Sequence, residues 1–210
     1  MAKSSDSPQI AGHLTVQDWL ERKSALECHP TSELWQKTFE EFLEKRLRTR
    51  YLDPVEMLAT SGKNDGEGFL IVSIQCALIE FLAALRSGKA YRHLSNGETL
   101  GPYEYASSIR LFVCFLSSER PFSDWFPSNR KAETFYKNIR CGLLHEARTK
   151  GGWRIKTSRE ACIDHENKII DRDKLQNAIN DYIHNYGKRL KEDPDLQVAF
   201  IRKFDHLCGP

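Results

Sequence analysis

Between Phe69 and Leu85 the chain runs through seventeen residues, FLIVSIQCALIEFLAAL, in which only Ser73, Gln75 and Glu80 are polar. A helix built from this run is apolar almost all round. It has no face to give to water, so other elements must surround it. The run is too short and too polar for a comfortable membrane span, so it predicts a buried helix over 69–87 at the centre of the fold and no membrane partner. Glu80 stands between Ile79 and Phe81. A buried carboxylate there needs a partner or a raised pKa, and Arg140 and Arg110 are the two candidate partners.

The rest of the chain supplies the surrounding helices. Residues 1–14 are polar and read as loose. Thr15 to Asp18 has the form of a capping box and opens a short helix to about Glu27. A second helix starts near Thr31 or Ser32, with Leu34, Trp35, Phe39, Phe42, Leu43 and Leu47 on one stripe. Its last turn holds Lys45, Arg46, Arg48 and Arg50, which complement the negative end of the helix dipole. Ser61 to Gly68 reads as a loop. It lacks the Gly-Lys-Ser/Thr ending of a phosphate-cradling loop, and no strand precedes it. Helices are predicted over Tyr103–Ser118 and 129–148. The stretches WRIKTS and NKIIDR are β-prone and predict a small hairpin near 153–170. Asp171 or Asp173 then caps a helix over 174–190, and a last helix runs from Asp195 to His206.

The sum is an all-α fold: an antiparallel helical bundle over 61–210, an N-terminal helical extension over 1–60 packed on it, and a small β-hairpin insert, in one compact unit. A chain of 210 residues buries enough surface to need no staples.

The formal net charge of +2 says little, but the charge is unevenly spread. Residues 120–160 hold ten Lys or Arg against four acids, leaving that window at +6 and the remainder at −4. Such a local field suits an anionic ligand. The six cysteines include no CxxC pair. Cys162 with His165, and Cys28 with His29, are half-sites at best, so no metal and no cofactor are expected. Cys76 and Cys114 sit in apolar runs and read as buried small hydrophobes. The polar N-terminus carries no signal-peptide pattern, which points to a reducing cytoplasm.

The chemistry concentrates in Arg140-Cys-Gly-Leu-Leu-His145, of form R-x4-H. An arginine is a permanent planar cation matched to phosphate oxygens. A histidine titrates near neutrality and moves protons. Together they can cleave RNA without metal. The imidazole takes the proton of a ribose 2′-hydroxyl, which attacks the adjacent phosphorus, while the guanidinium stabilises the charge developing on the phosphoryl oxygens. The products are a 2′,3′-cyclic phosphate and a 5′-hydroxyl, and DNA resists for want of the hydroxyl. Five residues on an ideal helix leave the two side chains about 140° apart. Loosening at Gly142, the reach of arginine, or a homodimer with two motif helices facing across a two-fold axis would each bring them together.

A helical bundle with R-x4-H late in its helical run resembles the HEPN superfamily, over about residues 65–190. The resemblance implies a dimeric, metal-independent endoribonuclease of the kind found in toxin–antitoxin or antiviral systems, with Arg140 and His145 catalytic and an antitoxin or other protein as a further partner. It also admits members that are not nucleases and serve as binding or assembly modules. Active members commonly place a polar residue after the arginine, where this chain has Cys141.

Several neighbours carry two readings each. Glu80, Tyr136, Asn138 and Glu146 are possible supporting residues. Tyr136 can hydrogen-bond near Arg140 or be a core aromatic with a wet tip. Glu146 can orient His145 or stay on the helix surface. Lys137, Arg148, Lys150 and Arg154 can contact an RNA backbone or remain solvated. Trp153 can stack on a base or pin the hairpin to the bundle.

Overall fold

The computed structural model describes residues 8–61 and 66–209. Residues 1–7 of the segment read as loose, and 62–65 of the loop read at 61–68, lie outside that range. The described residues are mostly helical, with three small sheets.

Strands β1 (Gln9–Ala11) and β2 (Leu14–Thr15) pair antiparallel, so this part of the N-terminus is ordered rather than loose. Ile10 and Ala11 are buried. The reason is basic: Arg46 donates to the Ile10 carbonyl and Arg50 to the Gln9 carbonyl at 2.8 Å. These arginines therefore anchor β1 instead of closing a helix. Helix α1 (Val16–Cys28) begins at the anticipated capping box, where the Thr15 N–H and hydroxyl both donate to Asp18 at 2.8 Å.

The second helical stretch does not stop at Arg50. It runs from α2 (Ser32–Thr38) through a π-helical segment, Phe39–Glu44, then α3 (Lys45–Leu47), a second π segment, Arg48–Leu52, and α4 (Asp53–Ser61). Its predicted stripe is buried at Trp35, Phe39, Phe42, Leu43 and Leu47. Trp19 packs against Phe42, Phe200 and Phe204, so one core joins the N-terminal helices to the last one.

Helix α5 (Glu67–Ser87) is the central element. At 21 residues it is long and apolar enough to cross a membrane, longer than the run suggested, and 56% of an apolar 18-residue window within it is buried inside the fold. The short strands β3 (Ala90–Tyr91) and β4 (Glu104–Tyr105) pair in parallel. They take up the start of the predicted 103–118 helix, which forms only as α6 (Ile109–Ser118). Cys114 lies exposed on α6, contrary to expectation, because Phe112, Val113, Phe115 and Leu116 take its inner face; Cys76 is buried as expected.

The motif helix comprises α7 (Asn129–Phe135), a π segment, Tyr136–Arg140, and α8 (Cys141–Glu146). Beyond it, β5 (Arg154–Lys156), β6 (Ile163–Asp164) and β7 (Ile169–Asp171) form a sheet in the order β5-β7-β6. Both β-prone stretches are strands, but they run parallel. The hairpin is β6 with β7, and β6 comes from the polar stretch between the two. Asp171 caps α9 (Arg172–Leu190), accepting from the Asp173 and Lys174 N–H groups. Helix α10 (Pro194–Cys208) closes the chain. Helix α5 touches α4, α6, α8, α9, α10 and β5, as an all-round apolar helix must.

Candidate functional site

Arg140 ends the π segment, where the Cys141 N–H reaches back to the Tyr136 carbonyl. Such segments are short, costly and frequent at functional positions. Here the turn sets the Arg140 guanidinium 5.4 Å over the Tyr136 ring. Tyr136 is buried, and its hydroxyl shares a 2.9 Å hydrogen bond with Ser108. Across from the ring stands Glu80 of α5. One terminal nitrogen of Arg140 donates to its carboxylate at 2.9 Å, with the two side chains 20% and 18% exposed. The partner of Glu80 is thus Arg140. Burial works against the Arg140 charge, but the Glu80 carboxylate more than offsets it and raises the guanidinium pKa.

The pair separates two clefts. One, of about 300 Å³, is lined by Cys76, Phe81, Tyr105, Leu144 and Lys203 as well as the pair. The other, of about 400 Å³, lies toward Tyr91, Ser108 and Tyr136. Burial pushes the Cys76 thiol and the Tyr105 phenol each up to about 12, so neither ionises at neutral pH.

His145 is exposed and lines neither cleft. It makes no hydrogen bond or ion pair with any described residue. The five-residue spacing leaves it round the helix from Arg140. Gly142 does not loosen the helix. A Cβ there would lie 2.5 Å from the Arg148 carbonyl oxygen, so Gly142 lets the returning chain pack against α8. Alanine gains about 1 kcal/mol in helix propensity. The clash with backbone costs more, and Gly142→Ala is expected to lower stability by a net of about 1–2 kcal/mol in a urea titration.

The remaining predicted site residues divide. Glu146 does not orient His145; it pairs with Lys150 at 2.8 Å and Arg148 at 3.1 Å. Lys137 pairs with Glu133 at 2.6 Å, and Arg154 donates to the Asn167 carbonyl at 3.2 Å. Glu133 and Glu146 are two of the four acids already counted within 120–160, so these contacts leave its +6 balance unchanged, and all four cations are at least partly exposed. Asn138 is structural: its side-chain amide donates to the Thr134 carbonyl, and its backbone carbonyl accepts from the Lys150 N–H. Trp153 is 5% exposed and packs edge-on against Phe135 and His165, so it pins the sheet and is not open to a base.

His165, read in the sequence as at best half a metal site with Cys162, is tied into the core. Its Nε2 meets the Trp125 carbonyl at 2.8 Å, and its ring abuts Phe126. Burial lowers its pKa below the ordinary 6.5. The unfolded chain then binds more protons, so stability falls as pH drops below about 6.5 toward the folded-state value. Urea midpoints between pH 7 and 5 should show that decline, and His165→Gln should flatten it.

Sequence reasoning missed Lys203. The signal was there: it falls on the buried stripe of α10 with Leu196, Ala199, Phe200 and Phe204. Among the described residues no cluster of three or more metal-ligating side chains occurs. No family model, curated protein or solved structure matches the chain.

Proposed function

We propose that this chain is a metal-independent endoribonuclease of HEPN-like architecture, acting as a homodimer in the cytoplasm, with RNA as substrate and an antitoxin or similar protein as a natural partner. One observation carries the reading. At the end of a single helix, a guanidinium is fixed at a cleft by Glu80, and five residues later follows an exposed imidazole that pairs with none of the described residues. Only one Arg140 nitrogen is engaged by the carboxylate, so the rest of the donor fork remains for a phosphate. His145 is exposed and does not line that cleft, so a second copy related by a two-fold axis supplies the imidazole.

His145 of one subunit removes the 2′-hydroxyl proton. The 2′ oxygen bonds to phosphorus, the P–O5′ bond breaks, and Arg140 of the other subunit stabilises the oxyanion. The leaving oxygen takes a proton to become a 5′-hydroxyl. Incubation of the purified chain with single-stranded RNA in EDTA should give 2′,3′-cyclic phosphate ends, and the same sequence as DNA should stay intact.

The ion pair favours one other reading. Arg140 already has its carboxylate, and Glu146 is shared between two nearby cations. A non-catalytic module that binds RNA, a nucleotide or a partner protein would need no more. In that case RNA is retained but never cut in the same assay.

A further inference from the structure

Lys203 is only 6% exposed, yet among the described residues it has no carboxylate within ion-pair distance. Its ammonium carries three donors. One goes to the Lys89 carbonyl at 2.9 Å. The Phe81 ring lies 5.7 Å away. A buried charge without a counter-ion is expensive and is retained where it meets a ligand or partner.

The position is rigidly set. Gly88 ends α5 in the left-handed region at φ +61°, and a Cβ there would lie 2.9 Å from the Ala199 backbone. The end of α5 is thereby seated against α10, one turn before Lys203. Lys203 lines the same 300 Å³ cleft as Arg140. Within that cleft the charges are Lys203 and Arg140 against Glu80 alone, which leaves one positive charge. The walls are largely apolar: Ala77, Phe81, Leu143 and Leu144.

We infer that this cleft is a binding site for a small monoanion, a carboxylate head on an apolar or aromatic body, with the head held between Lys203 and Arg140 and the body against Phe81 and Leu144. The charge count favours a carboxylate over a doubly charged phosphate. A ligand there occupies the Arg140 donors, so under the proposed function it would inhibit cleavage; the binding itself does not depend on that reading and is measured without RNA.

Arg46, on the second helical stretch, is the charged group that acts directly on Lys203, while the Glu80 carboxylate shares the cleft lining and the Glu104 carboxylate lies beyond His206 of α10. Tyr105 closes the cleft. Burial first, and Arg46 second, lower its pKa to about 8.

Benzoate, phenyl phosphate and neutral benzamide are titrated calorimetrically into the full chain. Benzoate should bind at pH 7, and benzamide at least tenfold more weakly. Lys203→Met should weaken benzoate at least tenfold, while Lys188→Met, at an exposed position, should not. Benzoate affinity should fall as pH rises through about 8, because the ammonium is lost while Arg140 stays charged. Should Lys203→Met not fold, the ammonium is titrated by NMR in the natural chain, and benzoate must raise its pKa. Tighter phenyl phosphate than benzoate overturns the carboxylate assignment. Equal binding of benzoate and benzamide, or a Lys203 titration indifferent to benzoate, overturns the site.

Discussion

Replacing His145 with alanine is expected to lower RNA cleavage about a thousandfold, the usual range for loss of a positioned general base. The melting temperature should stay within a degree or two. The imidazole is exposed and bonds to no described residue, so its removal opens no cavity and strands no polar group. This split between activity and stability is what separates a catalytic histidine from a structural one. Initial rates on a fluorogenic RNA in EDTA, with thermal melts of the same samples, measure both. A His145→Ala variant that still cleaves at the natural rate removes the histidine from the mechanism.

Arg140 should behave in the opposite way, because it pairs with Glu80 in the fold and, under the proposed function, also serves the chemistry. Arg140→Ala is expected to cut cleavage by a factor of about a hundred to a thousand, as loss of an oxyanion-stabilising donor does. It also leaves the Glu80 carboxylate, 18% exposed, without its cation. A fully buried orphan would cost about 3–5 kcal/mol. Partial solvation reduces this to about 1–3 kcal/mol here. Glu80→Gln should cost a similar amount in stability while sparing most of the activity, since the guanidinium remains. In the double variant neither charge is stranded, and a coupling of about 1–2 kcal/mol is expected from the cycle. Additive losses would mean that the 2.9 Å pair contributes nothing to the fold.

The parts of the architecture legible in the sequence are those governed by local rules. The all-round apolar run had to be central, and Glu80 within it had to find a cation, which is Arg140. The Thr15 and Asp171 caps follow from side-chain chemistry at helix starts. Other features have no local marker. The π segments that carry the second helix past Arg50, and that place Arg140 over Tyr136, depend on packing rather than residue type. Strand pairing is non-local, so β-propensity found β5 and β7 but not their parallel register. Charges counted along the sequence placed a basic field at 120–160 but not its pairing in space, where Lys137 meets Glu133, Arg148 and Lys150 share Glu146, and Arg140 reaches Glu80 outside the window. Trp153 shows the same limit: a tryptophan after two glycines reads equally as a base platform or a core plug, and Phe135 and His165 decide for the plug.

The central claim is that each active site takes its arginine from one subunit and its histidine from the other. Mixing Arg140→Ala and His145→Ala chains, each inactive alone, tests it directly. In a mixed dimer one site lacks both residues and the other keeps both. Random reassortment of equal amounts should therefore restore about a quarter of the natural metal-free cleavage rate. Mixed dimers that form, as confirmed by native mass spectrometry, yet cleave no RNA would contradict the account.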